Sequence, residues 1–272
     1  MTNSNLSHKN NLVQKSKRTK QLTPERIQVL NNVKKNYIYY LKNADWEQVK
    51  NGNISTAVSA LETYVNYTKE VEKEDPFFNW RSDFAGSVIP EFLYRIISKR
   101  LSALGIPHYF STRDSVVEMT LNGTADNTWN IRRKNQDLCL GGAICTTTFE
   151  GKEQSFVVPS IIFEVKTNID INKLSGLEFS AERLKRTFPI AKYFLVTETV
   201  DFSLNDNYAA GCLDEIYCLR KQVRSEARRN KSSLKADVFQ KLLDDVVTSM
   251  QLATKSKGHV YDRLESGKLI NV

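Results

Sequence analysis

A chain of 272 residues, 40% hydrophobic and 26% charged, is long enough to bury one large core or two small ones. It contains no apolar run approaching the ~20 residues that a membrane helix needs, and its polar start "MTNSNLSHKNN" lacks the apolar core of a secretory signal, so a cytoplasmic protein with no membrane partner is expected. Thirty-nine Lys and Arg against 31 Asp and Glu leave a net charge of +8, which favours a polyanionic partner such as nucleic acid.

Residues 1–22 carry Lys9, Lys15, Lys17, Arg18 and Lys20 with no acid and few apolar residues, and read as a flexible basic arm. Thr23 then supplies a cap and Pro24 a first helical residue. Ile27, Leu30, Val33, Tyr37, Ile38 and Leu41 follow at helical spacing through residue 43. A second helix is expected over 54–73, with Val58, Leu61, Tyr64 and Val65 on one stripe. A third is expected from Ser82 to about Leu104, with Pro90 marking a kink or a later start. Residues 23–105 thus form a helical N-terminal region.

The period then changes. Residues 107–120, 128–133, 136–148 and 154–167 are rich in β-branched and aromatic residues, with turn signals at "LNGTADN" and "FEGKEQ", and read as a β-meander. A helix over 175–187 stops at Pro189, and "KYFLVTET" at 192–199 is another strand. The order predicts an α/β fold with a mixed central sheet flanked by helices, its core at 106–200. Residues 201–272 form a basic helical C-terminal region, in which Arg220, Lys221, Arg224, Arg228 and Arg229 face a single acid, Glu226, and would stripe a helix; a helix over 236–253 follows. No linker divides these parts, so one integrated domain is the simplest reading.

The chemistry concentrates in "PSIIFEVKTNID", where Glu164 and Lys166 interrupt an apolar strand. Residues two apart share a strand face, so a carboxylate and an ammonium project together while Phe163 and Val165 point the other way. An ion pair near a strand end would explain this equally well. Upstream, "KNQDLCLGG" sets Asp137 at a strand start, followed by a Gly141–Gly142 pair that permits a bend. Two carboxylates meeting at adjacent strand ends make a hard-oxygen site suited to Mg²⁺, which takes few protein ligands and keeps several waters.

Asp, a hairpin, Glu-x-Lys, a helix and a strand together resemble the core of the PD-(D/E)xK nucleases, with Asp137, Glu164 and Lys166 in the motif positions and Gln136 where the proline would stand. The blocks "NWRSDFAGSVIPEFLYRI", "IRRKNQD", "EVKTNIDINKLSGLEFSAERLKRTFP", "DEIYCLRKQVR" and "GHVYDRLESGKLI" are similar to those of BbvCI-type restriction endonuclease subunits. That resemblance implies a restriction-endonuclease-like fold and a bacterial type II enzyme that hydrolyses double-stranded DNA with Mg²⁺ at a site related to CCTNAGC. It also implies a second, related subunit (a heterodimer, or a homodimer as alternative), each chain cutting one strand. Asp137, Glu164 and the main-chain carbonyl of Val165 would hold the metal. Lys166 would orient the attacking water or act as its base. Glu91, on the helix before the sheet, would touch the metal or its water.

For DNA, Arg132, Arg133 and Lys134 would clamp phosphate near Asp137. Arg183 and Lys185 would face phosphate or core carboxylates, and the 220–229 arginines would follow the backbone or read guanine. No Gly-rich phosphate loop is present and hydrolysis needs no nucleotide cofactor. The four cysteines lack CxxC spacing and read as free thiols; His8, His108 and His259 have no ligand spacing. Two other readings stay open on the residues alone. One is a structure-specific or repair nuclease, the other a basic DNA-binding module whose strand charges form a structural pair.

Overall fold

Alternation along "SIIFEV" sorts the sheet into two faces. Ile161 and Phe163 are buried against one helical layer, and Ile162 lies against another. The computed structural model describes residues 5–79, 84–112, 115–121, 129–149, 151–254, 264 and 267. The expected helix start at Ser82, the "LNGTADN" turn beyond Leu121 and nearly all of "GHVYDRLESGKLI" lie outside them.

The N-terminal helices are α1 (Ser7–Ser16), α2 (Pro24–Asn43), α3 (Trp46–Lys50), α4 (Ser55–Glu74), α5 (Pro76–Asn79) and α6 (Val88–Ala103). Thr23 caps α2 as expected, its side chain accepting from the Arg26 N–H, with Pro24 at the first helical position. Pro90 sits in the first turn of α6, where its missing N–H costs no helical hydrogen bond, so α6 starts late instead of kinking.

The basic arm is corrected. Over Ser7–Ser16 it is helix, with His8, Leu12 and Lys15 buried. His8 lies between the Phe84 carbonyl and Ser87 Oγ on Nδ1 (3.1 and 3.0 Å) and Tyr64 Oη on Nε2 (2.7 Å), and Lys15 Nζ donates to the Phe77 carbonyl at 2.8 Å. A carbonyl only accepts, so Nδ1 carries the proton and Nε2 accepts from tyrosine. Burial pulls the His8 pKa down to about 4 and the Lys15 pKa to about 8.

The strands are β1 (Tyr109–Ser111), β2 (Ser115–Leu121), β3 (Trp129–Lys134), β4 (Leu138–Gly141), β5 (Ala143–Phe149), β6 (Lys152–Val158), β7 (Ile161–Asp170), β8 (Lys192–Asp201) and β9 (Glu215–Cys218). They do not form a meander. The central sheet has the order β1-β4-β7-β8-β9, antiparallel from β1 to β7 and parallel from β7 to β9, while β2–β3 and β5–β6 stand apart as two-stranded ribbons. The predicted 136–148 strand breaks at its glycines: a Cβ on Gly141 would lie 2.0 Å from the Val158 carbonyl oxygen, so only glycine lets the chains pass there.

After β7 comes α7 (Ile171–Thr187), which starts earlier than the predicted 175 because Asp170 accepts from the Lys173 N–H at 3.0 Å and caps it. Helices α8 (Arg224–Arg229) and α9 (Ala236–Thr254) complete the chain. One core joins α2, α4, α6 and α9 to one sheet face, and a smaller one seals α7 against the other through Ile162, Leu174, Leu177 and Leu195. The mixed, helix-flanked sheet is the fold class the sequence predicts.

Candidate active site

Asp137 and Glu164 are brought together by strand register. The pairing of Leu138 with Phe163, carried one residue further, sets Asp137 opposite Glu164, on the face that Cys139 and Ile162 share. Asp137 Oδ2 accepts from the Val165 N–H at 2.8 Å. In an extended strand the N–H and carbonyl of one residue point toward the same neighbouring strand, so the Val165 carbonyl is on the Asp137 side too. Lys166 Nζ lies 2.7 Å from Glu164 Oε1 and 3.7 Å from Asp137 Oδ2. The three side chains named from the sequence therefore converge.

Their environment differs along the strand. Glu164 is 11% exposed, Lys166 34% and Asp137 31%, so the site opens to solvent at the Lys166 end. Glu164 Oε2 is buried and accepts no hydrogen bond among the described residues. A buried carboxylate oxygen without a donor is costly, and a cation is the partner that would compensate it. With Asp137 and the Val165 carbonyl this makes an all-oxygen set of hard donors, which fits Mg²⁺. Among the described residues no three or more His, Cys, Asp or Glu side chains gather as a larger metal cluster.

Two neighbours escaped the sequence reading. Tyr193 is fully buried on β8, and burial together with the Glu164 and Asp137 charges holds its phenol well above the ordinary range. Asn168 continues the 164, 166 alternation, which is the signal that could have flagged it. Behind Asp137, burial pushes the Cys139 thiol up to about 12; all four cysteines are free, and of them only Cys139 is fully buried.

Glu91 is not in this constellation. It is buried in the N-terminal layer, where Oε1 accepts from Tyr37 Oη and from Arg95 (3.0 and 2.9 Å), and Oε2 accepts from the Lys9 N–H at 2.8 Å. With both oxygens taken by donors around α1, α2 and α6, it anchors helices.

The expected basic stripe is also corrected. Arg220 is 1% exposed and lies between Glu198 (2.9 Å) and Glu62 (3.0 Å), so it cannot reach DNA. Lys221 has a φ of 51°, which no helix tolerates, and pairs with Asp237; only Arg224–Arg229 is helical. Within α8, Arg224 pairs with Asp201 at 2.9 Å, and Arg228 and Arg229 are exposed. On α7, Arg183 bonds Glu118 at 2.9 Å and Lys185 bonds Asp214 at 2.7 Å. Arg132, Arg133 and Lys134 are exposed on β3; Arg132 lies 3.6 Å from Glu118, Arg133 reaches Gln154 at 3.4 Å and Lys134 reaches Ser180 at 3.3 Å.

Comparison with known proteins agrees with this architecture. The model of the Bpu10I restriction endonuclease family matches residues 83–241, more than half of the chain. Among solved structures, the chain is similar to a subunit of the native BbvCI A2B2 tetramer, with 36% identity over 92% of this chain and 97% of that one and a TM-score of 0.73. It is more distantly similar to the restriction endonuclease PspGI in a substrate DNA complex, with 16% identity over 71% of this chain and 76% of that one and a TM-score of 0.38. No curated protein matches. A family match over most of the chain, together with a structural match spanning nearly all of it, means that the chain belongs to the Bpu10I restriction endonuclease family.

Proposed function

We propose that this chain is one subunit of a type II restriction endonuclease that hydrolyses a phosphodiester in double-stranded DNA, using Mg²⁺, at a sequence related to CCTNAGC. The observation that carries the reading is the convergence of Asp137, Glu164 and Lys166 where β4 begins beside β7, with Glu164 Oε2 buried and lacking a donor among the described residues. Asp137, Glu164 and the Val165 carbonyl would hold the metal. When bound, Mg²⁺ supplies charge neutralisation at the phosphoryl group and lowers the pKa of water.

The chain's own residues do the rest. Lys166 holds the attacking water against the phosphate and sets its ammonium beside the developing charge. The water oxygen bonds to phosphorus as the bond to the 3′ oxygen breaks, leaving a 5′ phosphate and a 3′ hydroxyl. Asp137, whose Oδ2 accepts from the Val165 N–H, is held in a constant orientation through the step. Exposed Arg132, Arg133 and Lys134 shortly precede Asp137 in the chain and would meet backbone phosphate.

Because the similar BbvCI structure is an A2B2 tetramer, a second related chain is proposed to complete the enzyme, with each subunit cutting one strand. The test is plasmid digestion in Mg²⁺ with end-sequencing, for the protein alone and with a coexpressed partner. Glu164→Ala and Lys166→Ala are assayed for binding and cutting separately. Loss of cutting with retained binding supports the assignment. Full Mg²⁺-dependent cleavage by both variants would sink it, and cuts without a common sequence would point to a structure-specific nuclease instead.

A further inference from the structure

Beside the constellation, between the start of α6 and the end of β7, lies a cleft of about 380 Å³ that Lys166 shares with Asn168, Lys173 and Arg224. Among the described residues its one lining acid is Glu198, whose two oxygens are already engaged by Lys69 and by Arg220 at 2.9 Å. The cleft is therefore electropositive.

Two of its cations, Lys173 and Arg224, hold only exchangeable pairs. Lys173 pairs with Asp170 at 3.0 Å and Arg224 with Asp201 at 2.9 Å, but these are solvent-facing contacts, Lys173 being 54% and Arg224 41% exposed. Exposed pairs of this kind contribute little, so a doubly hydrogen-bonding oxyanion competes with them readily. Asn168 adds an independent sign. Its Oδ1 accepts from Thr199 at 3.1 Å, while its Nδ2 is buried and has no acceptor among the described residues. An unsatisfied buried N–H beside three cations is a donor awaiting an anion.

We infer that this cleft is a phosphate-binding subsite in which Lys173, Arg224 and Asn168 hold a backbone phosphate neighbouring the one presented to Asp137, Glu164 and Lys166. The inference rests on the nuclease reading and adds to it the residues that fix the strand's register at the site. Strand β7 supplies both halves, with Glu164 and Lys166 at the reacting phosphate and Asn168 one pleat further, so the spacing between the two phosphates is set by a rigid element.

The test uses the chain together with its coexpressed partner and duplexes carrying the CCTNAGC-related site, each with one neutral methylphosphonate, with binding measured in Ca²⁺ and cleavage in Mg²⁺. Lys173→Ala is expected to weaken binding about tenfold, the loss of one charge-assisted contact, with Lys173→Arg restoring it. At one methylphosphonate position the wild type is expected to lose a similar factor and Lys173→Ala to lose nothing more. Losses that add at every position, or a Lys173→Ala protein that binds as wild type, overturn the subsite. A wild type that shows the coupling in binding yet never cuts in Mg²⁺ refutes the nuclease reading and leaves the subsite standing. A wild type that binds no duplex refutes both.

Discussion

Lowering the pH is expected to loosen the protein at one identifiable residue. His8 is buried among Tyr64, Phe84 and Ser87, with Nδ1 donating to a carbonyl and Nε2 accepting from a hydroxyl, so the neutral ring is satisfied and the cation has lost its water. Burial dominates over the opposing Glu91 charge and lowers the pKa from 6.5 to about 4. Between those values the unfolded chain binds a proton that the folded chain refuses. The stability from neutral His8 is therefore complete above 6.5 and is lost as pH falls toward about 4. At 1.36 kcal/mol per pH unit the whole window is worth about 3 kcal/mol, and about 2 kcal/mol of it is gone by about pH 5. The assay is urea denaturation of the wild type and of His8→Gln at about pH 7.5 and about pH 5. Carboxylate titrations are common to both proteins, so the wild type should lose about 2 kcal/mol more than the variant. Parallel losses would refute the reasoning.

Three further outcomes follow from particular contacts. Arg220→Ala leaves buried Glu198 and half-buried Glu62 without their shared cation and is expected to cost about 3–5 kcal/mol in urea denaturation; a loss below about 1 kcal/mol contradicts the network around buried Arg220. Glu91→Ala strips the acceptor from Tyr37, Arg95 and the Lys9 N–H and should lower stability by about 3 kcal/mol while the folded fraction cuts DNA at the wild-type rate, so a selective loss of cleavage would return Glu91 to the active site. Gly141→Ala places a methyl 2.0 Å from the Val158 carbonyl oxygen at the far end of β4, the strand that Asp137 directly precedes. It should cost about 1–3 kcal/mol or more and reduce cleavage with it, measured by thermal melting and plasmid digestion together.

The elements that the sequence discloses are those governed by local signals. Thr23 and Pro24 fix the start of α2 through capping chemistry, and the alternation of "SIIFEV" fixes which residues of β7 meet which layer. What stays hidden depends on distant partners. Helix α1 is nearly devoid of apolar residues, so hydrophobic periodicity is blind to it; it docks through His8 and Lys15, whose partners lie some 56 to 79 residues away. The arginines of 220–229 have helical spacing on paper, but Arg220 is claimed by Glu62, 158 positions earlier, and Lys221 beside it has a positive φ. Strand order fails for the same reason: β4 pairs with β7 across the β5–β6 ribbon, and no local pattern announces a pairing that skips a hairpin.

The same contrast separates a site from a structural ion pair, which the ExK spacing alone does not. Glu91, Glu198 and Glu164 are all buried carboxylates with a cation in contact, and burial does not rank them. Their oxygens do. Glu91 gives one oxygen to Tyr37 and Arg95 and the other to a main-chain N–H; Glu198 gives one to Lys69 and the other to Arg220. Each is complete within the fold. Glu164 spends one oxygen on Lys166 and keeps Oε2 without a donor among the described residues, beside a second carboxylate where β4 begins. Among the described residues the fold satisfies its other buried acids and leaves this one unfinished, and an incomplete coordination shell is what the proposed metal-dependent centre would require of its protein.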